Sequence, residues 1–303
     1  MLGRSYSLSV VALWLASMSW LVWTKVLPPL IIGDPPDYRA ILEVQRGEPP
    51  VGWHLLANGR KVGWAVSQTK PLPNHISEIQ SHVRFTDLPL EELTPGWLRA
   101  LMQLVDKPLV TLKLDTESTV LIDPLGRLLS FDSVVRMDRM TRLARLRGSV
   151  EGAQMSLQVS AGEFSYQTEV CLPPRAMLGD AFSPQSQLPR LRAGQSWRVP
   201  AYNPLHPRQP LEMLKAEVEG LEPIVWQGKP YEAWLVVYRS DPGFGSGNDR
   251  TPRGKLWVRQ DGTVLRQEMM LLDVTLAFVR MDDDEALRLQ ETTKRETTLG
   301  GSP

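Results

Sequence analysis

The chain has 303 residues, with 34 Lys plus Arg and 34 Asp plus Glu, so its formal net charge is zero. This balance argues against a protein whose main task is to coat nucleic acid, because such domains are usually basic. Cys171 is the sole cysteine, which excludes an intramolecular disulfide and a cysteine-based zinc site. The apolar fraction of 42% is ordinary for a globular chain and permits a sizeable core.

The N-terminal segment predicts a membrane anchor. From Leu8 to Ile32 the residues are largely apolar, with one lysine, and this length suffices to span a bilayer. Arg4 before the segment and Asp34 after it favour an N-terminus inside and the bulk of the chain in the periplasm or another extracytoplasmic space. We therefore expect a single-pass protein of the inner or cytoplasmic membrane. A cleaved signal peptide is the alternative.

Composition shifts divide the chain into four expected segments. They are an anchor (1–33), a proline-rich linker (34–50), a single β-rich domain (51–290) and a flexible tail (291–303). Within the domain, two related halves cover about 51–170 and 195–281. Each half contains a glycine turn, a tryptophan-bearing strand and a second hairpin with Asp and Gly in its turn.

Hairpin signals recur through the domain at even spacing. Each one places a glycine-containing turn between runs of apolar, β-branched and aromatic residues. The turns are expected at Asn58-Gly59, 123–126, Glu151-Gly152, Ala161-Gly162, Gln227-Gly228 and Asp261-Gly262. The Asp261-Gly262 pair predicts a two-residue type I′ turn. Because no helices alternate with these strands, we predict a mainly β fold: a large curved antiparallel sheet or open half-barrel with a few short helices.

Three short helices are expected. Thr94-Pro95 supplies a cap and a first-turn proline for a helix over 95–105. Ser183-Pro184 predicts a second helix before Gly194. Asp282 with Glu285 has the form of a capping-box variant and predicts the third.

The residue types that carry catalysis are sparse. The four histidines are His54, His75, His82 and His206. His75 and His82 stand seven apart, so on a single strand they would face opposite sides, and a metal site would need a bulge or a partner strand. Cys171 has no local histidine or basic residue to activate it. We expect no catalytic, metal or cofactor site; an enzyme that uses His75, His82 or Cys171 is the alternative.

A basic run, RMDRMTRLARLR, covers 136–147. Three interpretations stay open for it: a solvated face, contact with anionic lipid headgroups, or contact with nucleic acid. Read as a strand, the segment places Arg145 and Arg147 on one face.

Tryptophans are abundant in the β-rich domain, and most are expected in the core. A concave sheet lined with them would also hold an acyl chain or a peptide. The candidate ligand-binding residues are Trp64, Trp97, Leu101, Trp234 and Trp257, with the helix over 95–105 as a lid.

The stretches "NGRKVGWAVS", "DPLGRLLSF", "LWVRQDGTVLRQEM" and "MDDDEAL" occur in that order. With them the chain resembles a β-rich extracytoplasmic domain found N-terminal to bacterial transglutaminase-like domains. It is more distantly similar to the LolA/LolB-like lipoprotein-carrier half-barrel, in which a curved sheet holds acyl chains under a helical lid. The chain stops at Pro303, so we expect the transglutaminase-like domain with its Cys-His-Asp set to be missing. Neither resemblance implies any residue role here.

These observations predict a non-enzymatic, membrane-anchored extracytoplasmic β-protein that binds a lipid or acyl ligand or a partner protein. The alternative is an accessory or assembly subunit of a membrane transporter or protease complex, with no ligand pocket. A membrane-protein partner is expected in that case. Nucleic acid is not.

Overall fold

The structure is a computed structural model. It describes residues 2–22, 38–45, 48–88, 112–137, 140–161, 164–171, 184–202, 211–240, 251–271 and 274–299. The helix expected over 95–105, with Trp97 and Leu101, lies outside the described residues. So do His206, the proline-rich start of the linker and the part of the anchor after Val22.

Strands dominate the described residues. The helices are α1 (Leu2–Leu21), α2 (Tyr38–Gln45) and α3 (Asp283–Leu299), and a 3-10 turn covers Pro73–His75. The strands are β1 (Val51–Ala57), β2 (Arg60–Pro71), β3 (Ser77–Leu88), β4 (Leu112–Ile122), β5 (Leu128–Met137), β6 (Met140–Glu151), β7 (Gln154–Ala161), β8 (Phe164–Cys171), β9 (Ser196–Tyr202), β10 (Leu211–Trp226), β11 (Lys229–Ser240), β12 (Gly254–Arg259), β13 (Val264–Leu271) and β14 (Val274–Arg280).

These strands form one antiparallel sheet in the order β8-β7-β6-β5-β4-β3-β2-β1-β14-β13-β12-β11-β10-β9. The chain enters at the centre, runs outward from β1 to the edge at β8, crosses to the opposite edge at β9 and returns to the centre, where β14 pairs with β1. The two meanders contain β1–β8 (51–171) and β9–β14 (196–280). The prediction of a mainly β fold with one large open antiparallel sheet is confirmed.

The expected turns at Asn58-Gly59, 123–126 and Gln227-Gly228 are confirmed. Glu151 pairs with Gln154, so the next turn is Gly152-Ala153 and not Glu151-Gly152. Gly162 of the expected Ala161-Gly162 turn lies outside the described residues.

Asn58 and Gly59 both have positive φ (47° and 81°), as a type I′ hairpin requires. At Asp261-Gly262 the expected two-residue turn is wrong: β12 ends at Arg259 and β13 begins at Val264, so the loop has four residues. The Asp261 carboxylate accepts the main-chain N–H of Thr263 at 3.0 Å, which favours the longer loop.

The helix predicted after Ser183 is wrong. Residues 184–195 are irregular apart from one bridge, between Gln187 and Thr263. The main-chain N–H of Leu188 donates to the Gly262 carbonyl at 2.7 Å, and that of Val264 donates to the Ser186 carbonyl at 3.1 Å. Hydrogen bonds to a distant part of the chain therefore replace those of a helix.

The predicted cap of the third helix is confirmed, and the segments expected as linker and tail contain helices. The main-chain N–H of Glu285 donates to the Asp282 carboxylate at 2.7 Å. From there α3 continues through Leu299, into the segment expected as a flexible tail. In the expected linker, α2 buries Leu42 against Ile122 of β4.

Side chains alternate between the two faces of the sheet, and one face carries the main core. Trp53 and Leu55 of β1 and Phe278 of β14 have no exposed surface, and they pack in a cluster that spans both meanders. Burial of such a side chain stabilises the fold by about 1.5–3 kcal/mol. We call this side of the sheet the core face.

On the opposite side, α3 packs across β1. Gly52 has no Cβ, and a Cβ built there would lie 2.9 Å from the Ala286 Cβ. Beside it, His54 Nε2 lies 3.3 Å from a carboxylate oxygen of Glu285. Burial lowers the pKa of His54, and the charge of Lys61 adds to this effect, while Glu285 opposes it.

The helix α1 presents its apolar side chains to the surroundings. The exposed fraction is 70% for Leu13, 58% for Trp14 and 74% for Trp20. Within the described ranges, no helix is both long and apolar enough to cross a membrane.

Candidate functional site

The strands β3–β8 carry polar side chains on the side opposite to the core face, and we call this surface the polar face. The strand register aligns them in rows across the sheet. One row contains Gln80, Thr119, Asp132, Arg147, Gln158 and Gln167, one residue from each of the six strands. Phe131 and Leu157 are next in sequence to Asp132 and Gln158, so these buried residues lie on the core face.

The first group of interest is the histidine cluster, at the end of the polar face nearest β1. His82 Nε2 lies 2.5 Å from Asp115 Oδ1, and the Arg84 guanidinium contacts Asp115 Oδ2 at 2.9 Å. The Trp64 ring lies 5.1 Å from the His82 ring and 5.2 Å from the Arg84 guanidinium carbon. Beside them, Arg136 pairs with Glu117 at 2.8 Å. The cluster consists of Trp64, His82, Arg84, Asp115, Glu117 and Arg136.

These contacts favour the charged forms of Asp115 and Arg136. Burial alone raises the pKa of Asp115, but the hydrogen bonds and charges of His82 and Arg84 outweigh it and hold that pKa below its ordinary value. The hydrogen bond to Glu117 raises the pKa of Arg136. The Asp115 carboxylate therefore stays ionised, and the Asp115 and Glu117 carboxylates each pair with a guanidinium group.

The ligand atoms of His82, Asp115 and Glu117 lie within 4.8 Å of one another, as a metal site would require. Both carboxylates are already paired with arginine, so a cation would have to displace Arg84 or Arg136 or share their partners. For nucleophilic catalysis, His82 would need a hydroxyl or thiol partner. Among the described residues its hydrogen-bond partner is Asp115. The contacts among these described residues form a charge network.

A second charged group lies farther along the polar face, at Asp132. Arg145 donates to Asp132 Oδ1 at 2.8 Å through Nε and contacts Oδ2 through Nη2. Arg147 reaches Oδ2 through Nε at 3.3 Å. The hydrogen bond from Arg145 is the main cause of a lowered pKa at Asp132. One carboxylate thus faces two guanidinium groups.

Next to this group, the polar face contains a cavity of about 460 Å³. A volume of this size suits a small molecule. The side chains around it are mostly hydroxyls, amides and the Asp132–Arg147 pair. Its lining consists of Thr119, Leu121, Ser130, Phe131, Asp132, Arg147, Gly148, Ser149, Ser156, Gln158 and Gln167. The cavity spans β4–β8, and eight of its eleven lining residues have polar side chains.

The candidate residues predicted from sequence do not converge on one surface. Trp234 packs against the main cluster of the core face. Trp64 and Trp257 lie on the opposite side, separated by four strand spacings, or roughly 19 Å. Trp257 donates to Glu222 at 2.7 Å and stacks under Arg266. The role of these three tryptophans in ligand binding stays a prediction. No two of them lie close enough together to line one pocket.

Other residues singled out in the sequence are dispersed. His75 is exposed in the 3-10 turn, apart from His82 in β3. Cys171 is exposed at the end of β8. Of the basic run, Arg136, Arg145 and Arg147 each pair with an acid of a neighbouring strand, while Arg139 lies outside the described residues. These pairs favour the solvated-face interpretation.

Sequence reasoning missed Asp115, Glu117, Asp132 and the cavity. Each acid lies in a strand of alternating polar residues, such as LKLDTESTV in β4, and that alternation was the available signal. It identifies the face on which a residue lies but not its neighbour across the strand, because a two-residue shift of register preserves the face and exchanges every partner.

No protein-family model and no curated protein matches the chain. Two solved structures are similar in part. A β-barrel-like protein of a domain of unknown function, DUF1849, from Brucella abortus is 10% identical with a TM-score of 0.45, covering 77% of this chain and 95% of that one. A protein from Parabacteroides distasonis ATCC 8503 described as a lipoprotein is 9% identical with a TM-score of 0.23, covering 82% of this chain and 98% of that one. At these scores neither likeness carries an argument about function.

Proposed function

We propose that this chain is a non-catalytic binding protein, held at a membrane by its N-terminal segment, that takes its ligand on the polar face of β3–β8. The observation that carries the proposal is the cavity over β4–β8, most of whose lining residues have polar side chains. On the core face, the side chains of Trp53, Leu55 and Phe278 are packed without exposed surface. A filled core leaves the opposite side as the better place for a ligand.

The cavity lining favours a polar ligand over the lipid or acyl chain expected from the sequence. An acyl chain binds in a pocket with mainly apolar walls. Here eight of the eleven lining residues have polar side chains, and the Phe131 side chain packs on the core face. Hydroxyl and amide groups buried by an acyl chain would lose hydrogen bonds to water without replacement, which is costly.

The absence of catalysis is part of the proposal. Its support is the histidine cluster, in which the Asp115 and Glu117 carboxylates are paired with arginines. Histidine and carboxylate groups held in this way orient one another and stabilise the strand pairs. Neither is poised to take a proton from a nucleophile.

The membrane attachment rests on α1. Its exposed leucine, valine and tryptophan side chains are unfavourable in water, and a lipid bilayer would remove that apolar surface from solvent. With Arg4 at its start, the segment would place the sheet on the extracytoplasmic side. Protease added to spheroplasts, whose cytoplasmic membrane is intact, should then digest the sheet, and carbonate washing should leave the chain in the membrane fraction. Release by carbonate would contradict the attachment.

A photo-crosslinking amino acid in place of Gln158, which lines the cavity, tests the binding face in native membranes. Val225 is 72% exposed near the β10–β11 turn and provides the matched control position. We expect adducts, detected as an increase in mass, from position 158 and not from position 225. Adducts of equal yield at both positions, or none at 158, would refute the assignment of the face.

The accessory-subunit function is a second candidate, favoured by the edge strand β8. Natural sheets protect their edges with proline, charge or a cover. The opposite edge, β9, contains Pro200, whereas β8 has no proline and a single charged residue, Glu169. Ser165, Tyr166 and Gln167 of β8 are exposed. A partner that adds a strand there would crosslink from Tyr166 rather than Gln158.

A further inference from the structure

The cavity on the polar face has an uneven distribution of charge. Asp132 accepts two contacts from Arg145, one through each carboxylate oxygen, so its charge is already matched. Arg147 adds a single contact of 3.3 Å through Nε. Its side chain is 54% exposed, against 24% for Arg145. Within the described residues, the two Nη groups of Arg147 have no hydrogen-bond partner.

Arg147 is also well placed to meet a ligand. It lines the cavity, whereas Arg145 does not. In the strand register it stands between Asp132 on one side and Gln158 on the other. A guanidinium with free Nη groups binds a carboxylate or phosphate through two parallel hydrogen bonds.

The rest of the lining suits hydroxyl groups. Ser130, Ser149 and Ser156 occupy one row across β5, β6 and β7. Thr119 lies in the neighbouring row, which also contains Gln158 and Gln167. Serine and threonine hydroxyls and glutamine amides each donate and accept hydrogen bonds. A sugar-like ligand, whose hydroxyls also do both, matches such a wall better than a hydrocarbon does.

We propose that this cavity binds a small hydroxylated molecule that carries one oxyanion, a sugar phosphate or a sugar acid, with the oxyanion on Arg147. The inference deepens the proposed binding function and rests on it. The serine, threonine and glutamine side chains contact the hydroxyl groups of the ligand. Asp132 holds Arg147 in place through the contact to its Nε.

Besides Asp115, Glu117 and Asp132, which are paired with arginines, three acids of β3–β8 lie on the same face and act against an anion, and all three lie outside the lining. Glu78 pairs with Leu121 in the register, three strands and two residues away from Arg147, or roughly 16 Å. Glu169 pairs with Ser156 in the register, two strands and two residues away from Arg147, or roughly 12 Å. Glu151 lies at the β6–β7 turn. Charges beyond about 8 Å are largely screened at physiological ionic strength, whereas the oxyanion would touch Arg147. The contact with Arg147 therefore makes the cavity favour an anionic ligand.

Isothermal titration of the full chain in mild detergent tests the proposal with four compounds. They are glucose 6-phosphate, glucuronate, glucose and inorganic phosphate. We expect glucose 6-phosphate or glucuronate to bind more tightly than glucose and more tightly than phosphate, because each of the latter provides half of the recognition. If glucose bound as tightly as both charged sugars, the claim that Arg147 binds an oxyanion would be wrong. If phosphate bound as tightly, the claim that the cavity contacts the ligand hydroxyls would be wrong.

Variants locate the site. Arg147→Gln should weaken binding of the charged sugar by about tenfold or more, the usual loss for a charge-assisted hydrogen bond, and Arg147→Lys should weaken it less. Arg192→Gln removes another exposed arginine and should leave the affinity unchanged. Because Arg147 is exposed, its replacement should preserve the melting temperature. A larger change from Glu169→Gln than from Arg147→Gln would overturn the assigned contact.

The inference can fail while the binding function stands. If none of the four compounds binds and position 158 still forms an adduct in native membranes, the ligand chemistry is wrong and the binding face is right. If neither test is positive, both proposals fall.

Discussion

Gly148 lines the cavity, and its replacement by alanine tests how tightly the core face is packed behind it. A Cβ at this position would stand 2.1 Å from Cε1 of the Phe131 ring and 2.6 Å from Cζ. An ordinary contact needs about 3.4 Å, so the ring would have to move by about 1.3 Å. Phe131 is 6% exposed, and Met155 and Leu157 in the same cluster are fully buried, so the ring has little space to move.

Forcing a methyl group into a filled core costs about 1–3 kcal/mol, and full expulsion of the ring would cost about 3–5 kcal/mol. We therefore expect Gly148→Ala to lower the urea midpoint, read from tryptophan fluorescence, by an amount that corresponds to at least about 1 kcal/mol at unchanged slope. Ser149→Ala, next in the strand on the opposite side, is the control and should cost less than about 0.5 kcal/mol.

A second substitution separates a steric cause from other causes. Phe131→Leu removes part of the ring, so adding it to Gly148→Ala should restore part of the lost stability. Equal destabilisation of Gly148→Ala and Ser149→Ala, or additive effects in the double variant, would refute the proposed contact between Gly148 and the ring.

Three further predictions follow from other contacts. Burial opposes ionisation of Asp261, but hydrogen bonds lower its pKa to about 2. Its carboxylate therefore stabilises the fold above the unfolded pKa of about 3.9 and loses that effect as pH falls toward 2. The melting temperature of Asp261→Asn should lie below that of the wild type at pH 7, and a deficit that does not shrink between pH 4 and 2 would contradict this. Gly52→Ala brings a methyl to 2.9 Å from the Ala286 Cβ, so α3 should detach and limited proteolysis of the C-terminus should accelerate; an unchanged cleavage rate would disprove the contact. Phe278→Ala, at a residue with no exposed surface, should cost about 3–5 kcal/mol in urea unfolding, against less than about 0.5 kcal/mol for the exposed Val225→Ala.

Hairpins were predictable because their signals are local. The positive φ of Asn58 and Gly59 is a property of two adjacent residues, and the alternation of flanking residues defines the strands around them. The cap at Asp282 is equally local, since its carboxylate reaches a main-chain N–H three residues away. These elements need no knowledge of the rest of the chain.

Two wrong secondary-structure predictions, the helix after Ser183 and the two-residue turn at Asp261-Gly262, have a common cause. The segment after Ser183 carries a helix-start signal but pairs with residues more than seventy positions away, around Gly262 and Val264. The loop at Asp261 lengthens because its side chain binds its own turn and because Pro189 packs against Gly262. In both cases contacts between distant segments outweigh local preference.

The candidate site also depends on contacts between distant segments. Alternation in β4 and β6 placed polar side chains on one face, and it predicted Arg145 and Arg147 on the same side. It did not predict that both would meet Asp132, or that Arg84 and Arg136 would neutralise Asp115 and Glu117.

The sequence by itself therefore determined a chain of antiparallel hairpins and an apolar N-terminal segment, because turns and alternation depend on neighbouring residues. Only the tertiary structure decided that β14 closes onto β1 at the centre of one sheet, which tryptophans enter the core, and which charges face the cavity. Each of these depends on strand register and order, and the free energy that selects them arises when distant strands pair and bury their core face together.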